Sequence, residues 1–169
     1  MVSTAFLLTV IAYACYFRKT PGFSLEFHIN RNTVYIFIFY AIIVIILQVI
    51  AFFITQYKYP STPAEFSVFL VIIAVIIAPV FEEFFFRGCL LGGLKQLFKK
   101  DITACIITSI VFCAMHTQYD ELSYFLILFI SSLLMSHLKL RTNGLLYPIS
   151  LHSIMNLSFI IINTQNIYR

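Results

Sequence analysis

Two adjacent glutamates, Glu82 and Glu83, stand inside an apolar run, with Arg87 four residues after the second. Between Glu65 and Glu82 there is no charged residue at all. A charge at membrane depth costs about 2.5–3.5 kcal/mol on insertion scales and marks function by default. On a helix, Glu83 and Arg87 share a face and can pair, whereas Glu82 points about 100° away. Arg87 is therefore expected to neutralise Glu83 and brace the helix, leaving Glu82 to face an interior cavity. Pro79 just upstream removes a backbone hydrogen bond and can kink the helix, which makes room for water. Two further groups stand in or at the end of apolar segments: His116, four residues after Phe112, and His152, four residues before Asn156. His28, in a polar loop, and His137, near a basic helix end, read as ordinary solvated or interfacial histidines.

A carboxylate, two imidazoles and a carboxamide suit several chemistries. Hydrolysis needs an activated water, donors for developing negative charge and little bulk water. A glutamate and two histidines could also hold a catalytic zinc with one position open. Intramembrane carboxylates and histidines can relay protons, and an ion-paired cluster can simply lock helices together.

The composition fixes where such a cluster sits. Of 169 residues, 61% are hydrophobic and 11% charged, and the mean hydropathy is +0.96. Soluble domains carry about 25% charged residues, so this chain cannot cover a water-facing surface. The expected class is all-α: a polytopic membrane bundle of about six helices, each some 20 residues or slightly fewer. The candidate spans are 2–17, 34–55, a third beginning near 66 that carries the acids, 102–116, 123–138 and 144–162. Residues 1–169 read as one integral membrane domain.

Arg18 and Lys19 follow the first apolar stretch instead of preceding it, unlike a cleavable signal. Arg18, Lys19, Arg31, Lys95, Lys99, Lys100, Lys139 and Arg141 fall on one side of the expected topology. Lys58 and Arg169 fall on the other. The positive-inside rule then places both termini outside, with the cell (inner) membrane as the expected location. The net charge of +4 is thus a topology signal, with no basic stripe for nucleic acid. Cys15, Cys89, Cys105 and Cys113 form no CxxC pair and read as small apolar residues. The turn at Pro60-Ser61-Thr62-Pro63, with Glu65 behind it, starts the third helix.

Depth allows the polar groups to meet. Glu82 precedes Lys100 by 18 residues and His116 follows it by 16. At about 1.5 Å rise per residue, an antiparallel hairpin turning there puts them within about 3 Å of the same level. His152 and Asn156 rise from the same side, 11 and 15 residues after Arg141.

Glu82-Glu83-x-x-x-Arg87, Phe112-x-x-x-His116 and His152-x-x-x-Asn156, in that order, resemble the three-motif signature of the CPBP family. These are the CAAX-processing and bacteriocin-processing (Abi) intramembrane proteases. The stretches "EEFFFRGCLLGGL" and "GLLYPISLHSIMNL" are similar to that family around the motifs. The resemblance covers roughly 66–162, the expected catalytic core, and implies that peripheral helices of the family are missing here. It implies an endopeptidase in which Glu82 is the general base and His116 helps hold the water. His152 and Asn156 would polarise the scissile carbonyl and stabilise the oxyanion, with Glu83, Arg87 and Phe112 in support. The implied partners are a peptide or membrane-protein substrate and the lipid bilayer, not nucleic acid.

The resemblance leaves the cofactor open: a zinc ion on Glu82, His116 and His152, or a metal-free glutamate site. The sequence holds no HExxH and no convincing GxSxG. Its two aspartates, Asp101 and Asp120, lie in loops, against a membrane aspartyl dyad. A reading from another class is a non-catalytic immunity or regulatory protein that uses the cluster to bind an ion or partner. A small proton-coupled transporter is the third.

Overall fold

The computed structural model describes residues 31–58, 67–116 and 121–164, together with the single positions Leu8, Ile11 and Cys15. The expected span 2–17, apart from those positions, lies outside the described residues. So do Arg18, Lys19, His28, the 60–63 turn, Glu65, Asp120 and Arg169. Every described element is helical: α1 (Arg31–Lys58), α2 (Val68–Phe98), α3 (Asp101–Ala114), α4 (Leu122–Thr142) and α5 (Leu146–Thr164).

Four of these helices are long and apolar enough to cross a membrane, and α3 is a shorter apolar helix. At about 1.5 Å per residue α3 spans only about 21 Å, and the chain leaves the helix near the polar cluster. The helix expected over 102–116 thus ends at Ala114. Met115 closes its last turn, and the His116 N–H donates to the Cys113 carbonyl at 2.9 Å. Lys139 and Arg141, expected in a loop, belong instead to the last turn of α4. Positive charge there complements the helix dipole.

Each helix buries a narrow stripe and turns the rest outward. On α1 the buried positions are Thr33 and then Ala41, Val44, Gln48 and Ala51, while Ile38, Phe39, Ile42, Ile46, Ile50 and Phe53 are exposed. The three-and-four spacing is that of one helix face. Outward isoleucines and phenylalanines suit lipid, not water. α3 and α4 pack together, and each buries small residues: Ala104, Thr108 and Ser109 on α3, and Ser131, Ser132 and Ser136 on α4. Small side chains let membrane helices approach closely, and dispersion supplies the attraction that apolar burial cannot supply in lipid.

Local chemistry sets the ends. Ser67 caps α2, its Oγ accepting from the Leu70 N–H at 3.3 Å. Lys99 ends α2 in the left-handed region (φ 53°), and Lys100 is extended. Across that turn Lys95 pairs with Asp101 at 3.1 Å, an acid in the first turn of α3 where the dipole favours it. α2 is not a uniform α-helix. It switches to π geometry over Ile73–Ile77 and again over Phe84–Leu90, with an α segment, Ala78–Glu83, between them. Such bulges are rare and concentrate at functional sites.

Candidate active site

Glu82 and Glu83 occupy the last turn of the α segment between the two π stretches of α2. The twist between neighbouring residues sends their side chains to different surroundings. Glu83 is fully buried, and its Oε1 accepts from Arg87 Nη1 at 2.7 Å. Arg87, also fully buried, extends the brace: its Nη2 donates to the Ser132 hydroxyl at 2.8 Å and to the Ser132 carbonyl at 3.2 Å. The guanidinium also lies over the Phe112 ring, 4.9 Å from its centroid. One arginine thus ties α2 to α3 and α4, and its charge is compensated by Glu83 and by the ring face.

The Glu83–Arg87 pair expected from spacing is only part of this arrangement. The same Glu83 Oε1 accepts a hydrogen bond from His152 Nδ1 at 2.8 Å. An ionised carboxylate can only accept, so Nδ1 carries the proton and Nε2 is left to face the other way. His116 is fixed by the same logic. Its Nδ1 lies 2.7 Å from the Phe112 carbonyl, which also only accepts, so Nδ1 is the donor and, in the neutral ring, Nε2 carries the lone pair. Phe112 supports both rings, with centroids 4.3 Å from His116 and 5.7 Å from His152.

Both imidazoles aim Nε2 at Glu82. Glu82 Oε2 lies 3.8 Å from His116 Nε2 and 3.7 Å from His152 Nε2. Those separations exceed a direct hydrogen bond and fit a small molecule shared between the three groups. Glu82 Oε2 is buried and has no hydrogen-bond partner among the described residues. A cavity of about 280 Å³ opens on this point, lined by Glu82, His116, His152 and Asn156 and by the apolar Leu128, Phe159 and Ile160. Glu82, His116, His152 and Asn156, drawn from α2, the end of α3 and α5, are thus brought to one cavity.

Asn156 has a further contact that the motif does not foretell. Its Nδ2 donates to the Ala74 carbonyl on α2 at 2.7 Å. Nearby, Gln48 of α1 donates to the Met155 carbonyl at 2.9 Å and pairs with the Ser158 hydroxyl. Sequence reasoning missed Ser132, Gln48 and Ala74. Gln48 is the lone polar residue of its apolar stretch, a signal that was there to find. The double serine 131–132 was another. Ala74 carried no side-chain signal at all.

The donor types here suit zinc, which takes imidazole nitrogen and carboxylate oxygen at about 2.0–2.2 Å around one point. Among the described residues, no three His, Cys, Asp or Glu side chains are arranged to hold a metal ion.

A family model described as type II CAAX prenyl endopeptidase Rce1-like matches residues 64–158. That stretch contains Glu82, Glu83, Arg87, Phe112, His116, His152 and Asn156. The chain is also 37% identical over 78 residues to an uncharacterized 24.3 kDa protein of Escherichia coli. The aligned stretch is 46% of this chain and 36% of that protein, so the chain spans about a third of the length of that relative. No solved structure matches significantly.

Proposed function

This chain belongs to the Rce1-like family, and from that premise we propose that it is an intramembrane endopeptidase that hydrolyses a peptide bond with a water activated by Glu82. The observation that carries the reading is the convergence of Glu82 Oε2 with His116 Nε2 and His152 Nε2 on one cavity. A water set between Glu82 Oε2 and the neutral His116 Nε2 can donate one hydrogen to each, with His152 Nε2 beside it.

In the mechanism, a water donates one hydrogen to Glu82 and the other to His116 Nε2, whose lone pair is kept free by the Phe112 carbonyl. Glu82 takes the first proton as the water oxygen forms a bond to the scissile carbonyl carbon. The carbonyl π electrons move onto oxygen. His152 Nε2 can donate to that oxyanion only when the ring carries a second proton, because Nδ1–H is committed to Glu83. The Glu83 carboxylate is the counter-charge for that state, and an oxyanion donor of this kind contributes about 2.7–4 kcal/mol. Glu82 then returns its proton to the leaving nitrogen, the oxyanion electron pair re-forms the carbonyl and the C–N bond breaks, which restores the Glu82 carboxylate. No step passes through a metal.

The substrate class proposed from the family is a prenylated peptide with a CAAX-type C-terminus, with a peptide precursor or membrane-protein segment as the alternative. The apolar Leu128, Phe159 and Ile160 on the cavity wall suit substrate side chains that arrive from lipid. The test uses the full chain in liposomes with a farnesylated CAAX-type peptide, followed by mass spectrometry. A parallel arm compares membrane peptides in cells that carry the wild type or Glu82→Gln. Cleavage by the wild type, or peptides that differ between the two cell lines, supports the reading. No cleavage together with identical peptide profiles overturns it.

A further inference from the structure

We propose that Pro79 is a positioning residue for this site. It holds the π bulge of α2 and so leaves the Ala74 carbonyl as the anchor for Asn156. The inference rests on the hydrolytic reading for its kinetic consequence but stands on geometry of its own.

In the Ile73–Ile77 stretch the Ala78 N–H donates to the Ile73 carbonyl, five residues back. In that register the next carbonyl, Ala74, would take its hydrogen bond from residue 79. Residue 79 is proline, which has no N–H. The Ala74 carbonyl is therefore left by the sequence itself without a donor from its own helix, in the register of that stretch. Asn156 Nδ2 meets it at 2.7 Å from α5.

The two halves of this arrangement support each other. In a plain α register, the ring of Pro79 would press on the carbonyl four residues earlier, and Ala78 N–H would take Ala74 for itself. The π register relieves the first problem and creates the vacancy that Asn156 fills. Removing a bulge turns everything C-terminal to it by about 100°, and Glu82 lies C-terminal to it. Ala74, Ala78 and Glu82, spaced by four, all line the cavity, as does Asn156. The clamp thus sets the direction of the Glu82 carboxylate relative to α5. It also fixes the amide orientation: one Nδ2 hydrogen is spent on Ala74 and the other remains for the cavity.

A Pro79→Ala variant restores an N–H at residue 79 and gives the Ala74 carbonyl a partner within its own helix. Turnover of wild type, Pro79→Ala, Asn156→Ala and the double variant forms a cycle. Each single change is expected to lower kcat by about 10–100-fold, the scale of a small misplacement at a reacting centre, with KM altered less than twofold. The double variant should be no slower than Asn156→Ala alone. Pro79→Ala should also melt at or above the wild-type temperature, which separates lost alignment from lost folding. Wild-type kcat for Pro79→Ala, or multiplicative losses in the double variant, would overturn the proposal. A readout independent of activity is the side-chain amide resonance of Asn156 in labelled protein. It should shift in Pro79→Ala, and an unmoved resonance counts against the clamp. If the resonance shifts but neither protein cleaves any peptide, the clamp stands and the hydrolytic reading falls.

Discussion

Glu82 and Glu83 are neighbours in the chain and opposites in the fold. Glu83 sits in a dry brace: Arg87 and His152 bond its Oε1, Ser132 holds the far end of Arg87, and no part of Glu83 or Arg87 reaches the surface. Glu82 sits on a cavity, with two imidazole nitrogens near its Oε2 but none within hydrogen-bond distance. One carboxylate has its charge answered by the protein, and the other has it left for something that enters. The first arrangement fixes a shape, and the second leaves a reactive group available. His152 belongs to both, with Nδ1 in the brace and Nε2 in the cavity, so the brace directly orients the site.

Variants of the two histidines sharpen that contrast most strongly. His116→Ala leaves the Glu83–Arg87–Ser132 brace intact, so it should cut turnover by about 10²–10⁴-fold, the scale of general acid–base catalysis, and lower the melting temperature less than His152→Ala does. His152→Ala should lose as much activity and also destabilise, because Glu83 loses a partner. Equal melting temperatures for the two variants would break the division between brace and cavity.

Removing the cation of the brace comes next. Arg87→Met strands a buried carboxylate, and breaking a buried pair costs about 3–5 kcal/mol, readable as a lowered midpoint in denaturant. A smaller loss follows at its far end. Ser132→Ala removes a hydrogen bond to a charged group, worth about 1.5–3 kcal/mol. Gln48→Leu, on the α1 side of α5, removes two neutral hydrogen bonds and should cost about 1–2 kcal/mol. Chelation should have the smallest effect: treatment with a strong chelator is expected to leave turnover unchanged. Loss of activity that zinc restores would place a metal in the cavity.

How much of this the sequence displayed follows from the range of each interaction. The Glu83–Arg87 pair was legible because it lies within one helix, where spacing alone fixes the neighbours. The apolar runs announced the helices, since α1, α4 and α5 need little more than length and hydropathy. The matching depths of Glu82 and His116 could be counted from the turn at Lys99 and Lys100. What stayed hidden depends on how one helix is rotated against another. The contact of Glu83 with His152, and of Arg87 with Ser132, requires the rotation of α5 and α4 about their axes, and interhelical packing alone fixes that. The π bulges were equally hidden. Pro79 advertised a missing hydrogen bond, but an ordinary kink and a shift in register answer that loss differently. The Asn156–Ala74 contact follows only from the second. His116 was expected to close its helix, whereas α3 unwinds just before it and the imidazole is held by the last turn's carbonyl.

The comparison of the two acids is best decided by measuring Glu82→Gln and Glu83→Gln side by side, each for thermal midpoint and for turnover in liposomes. Glu82→Gln should keep the wild-type midpoint and lose hydrolysis, while Glu83→Gln should melt at a clearly lower temperature. A Glu82→Gln protein that turns over at the wild-type rate would contradict the account at its centre.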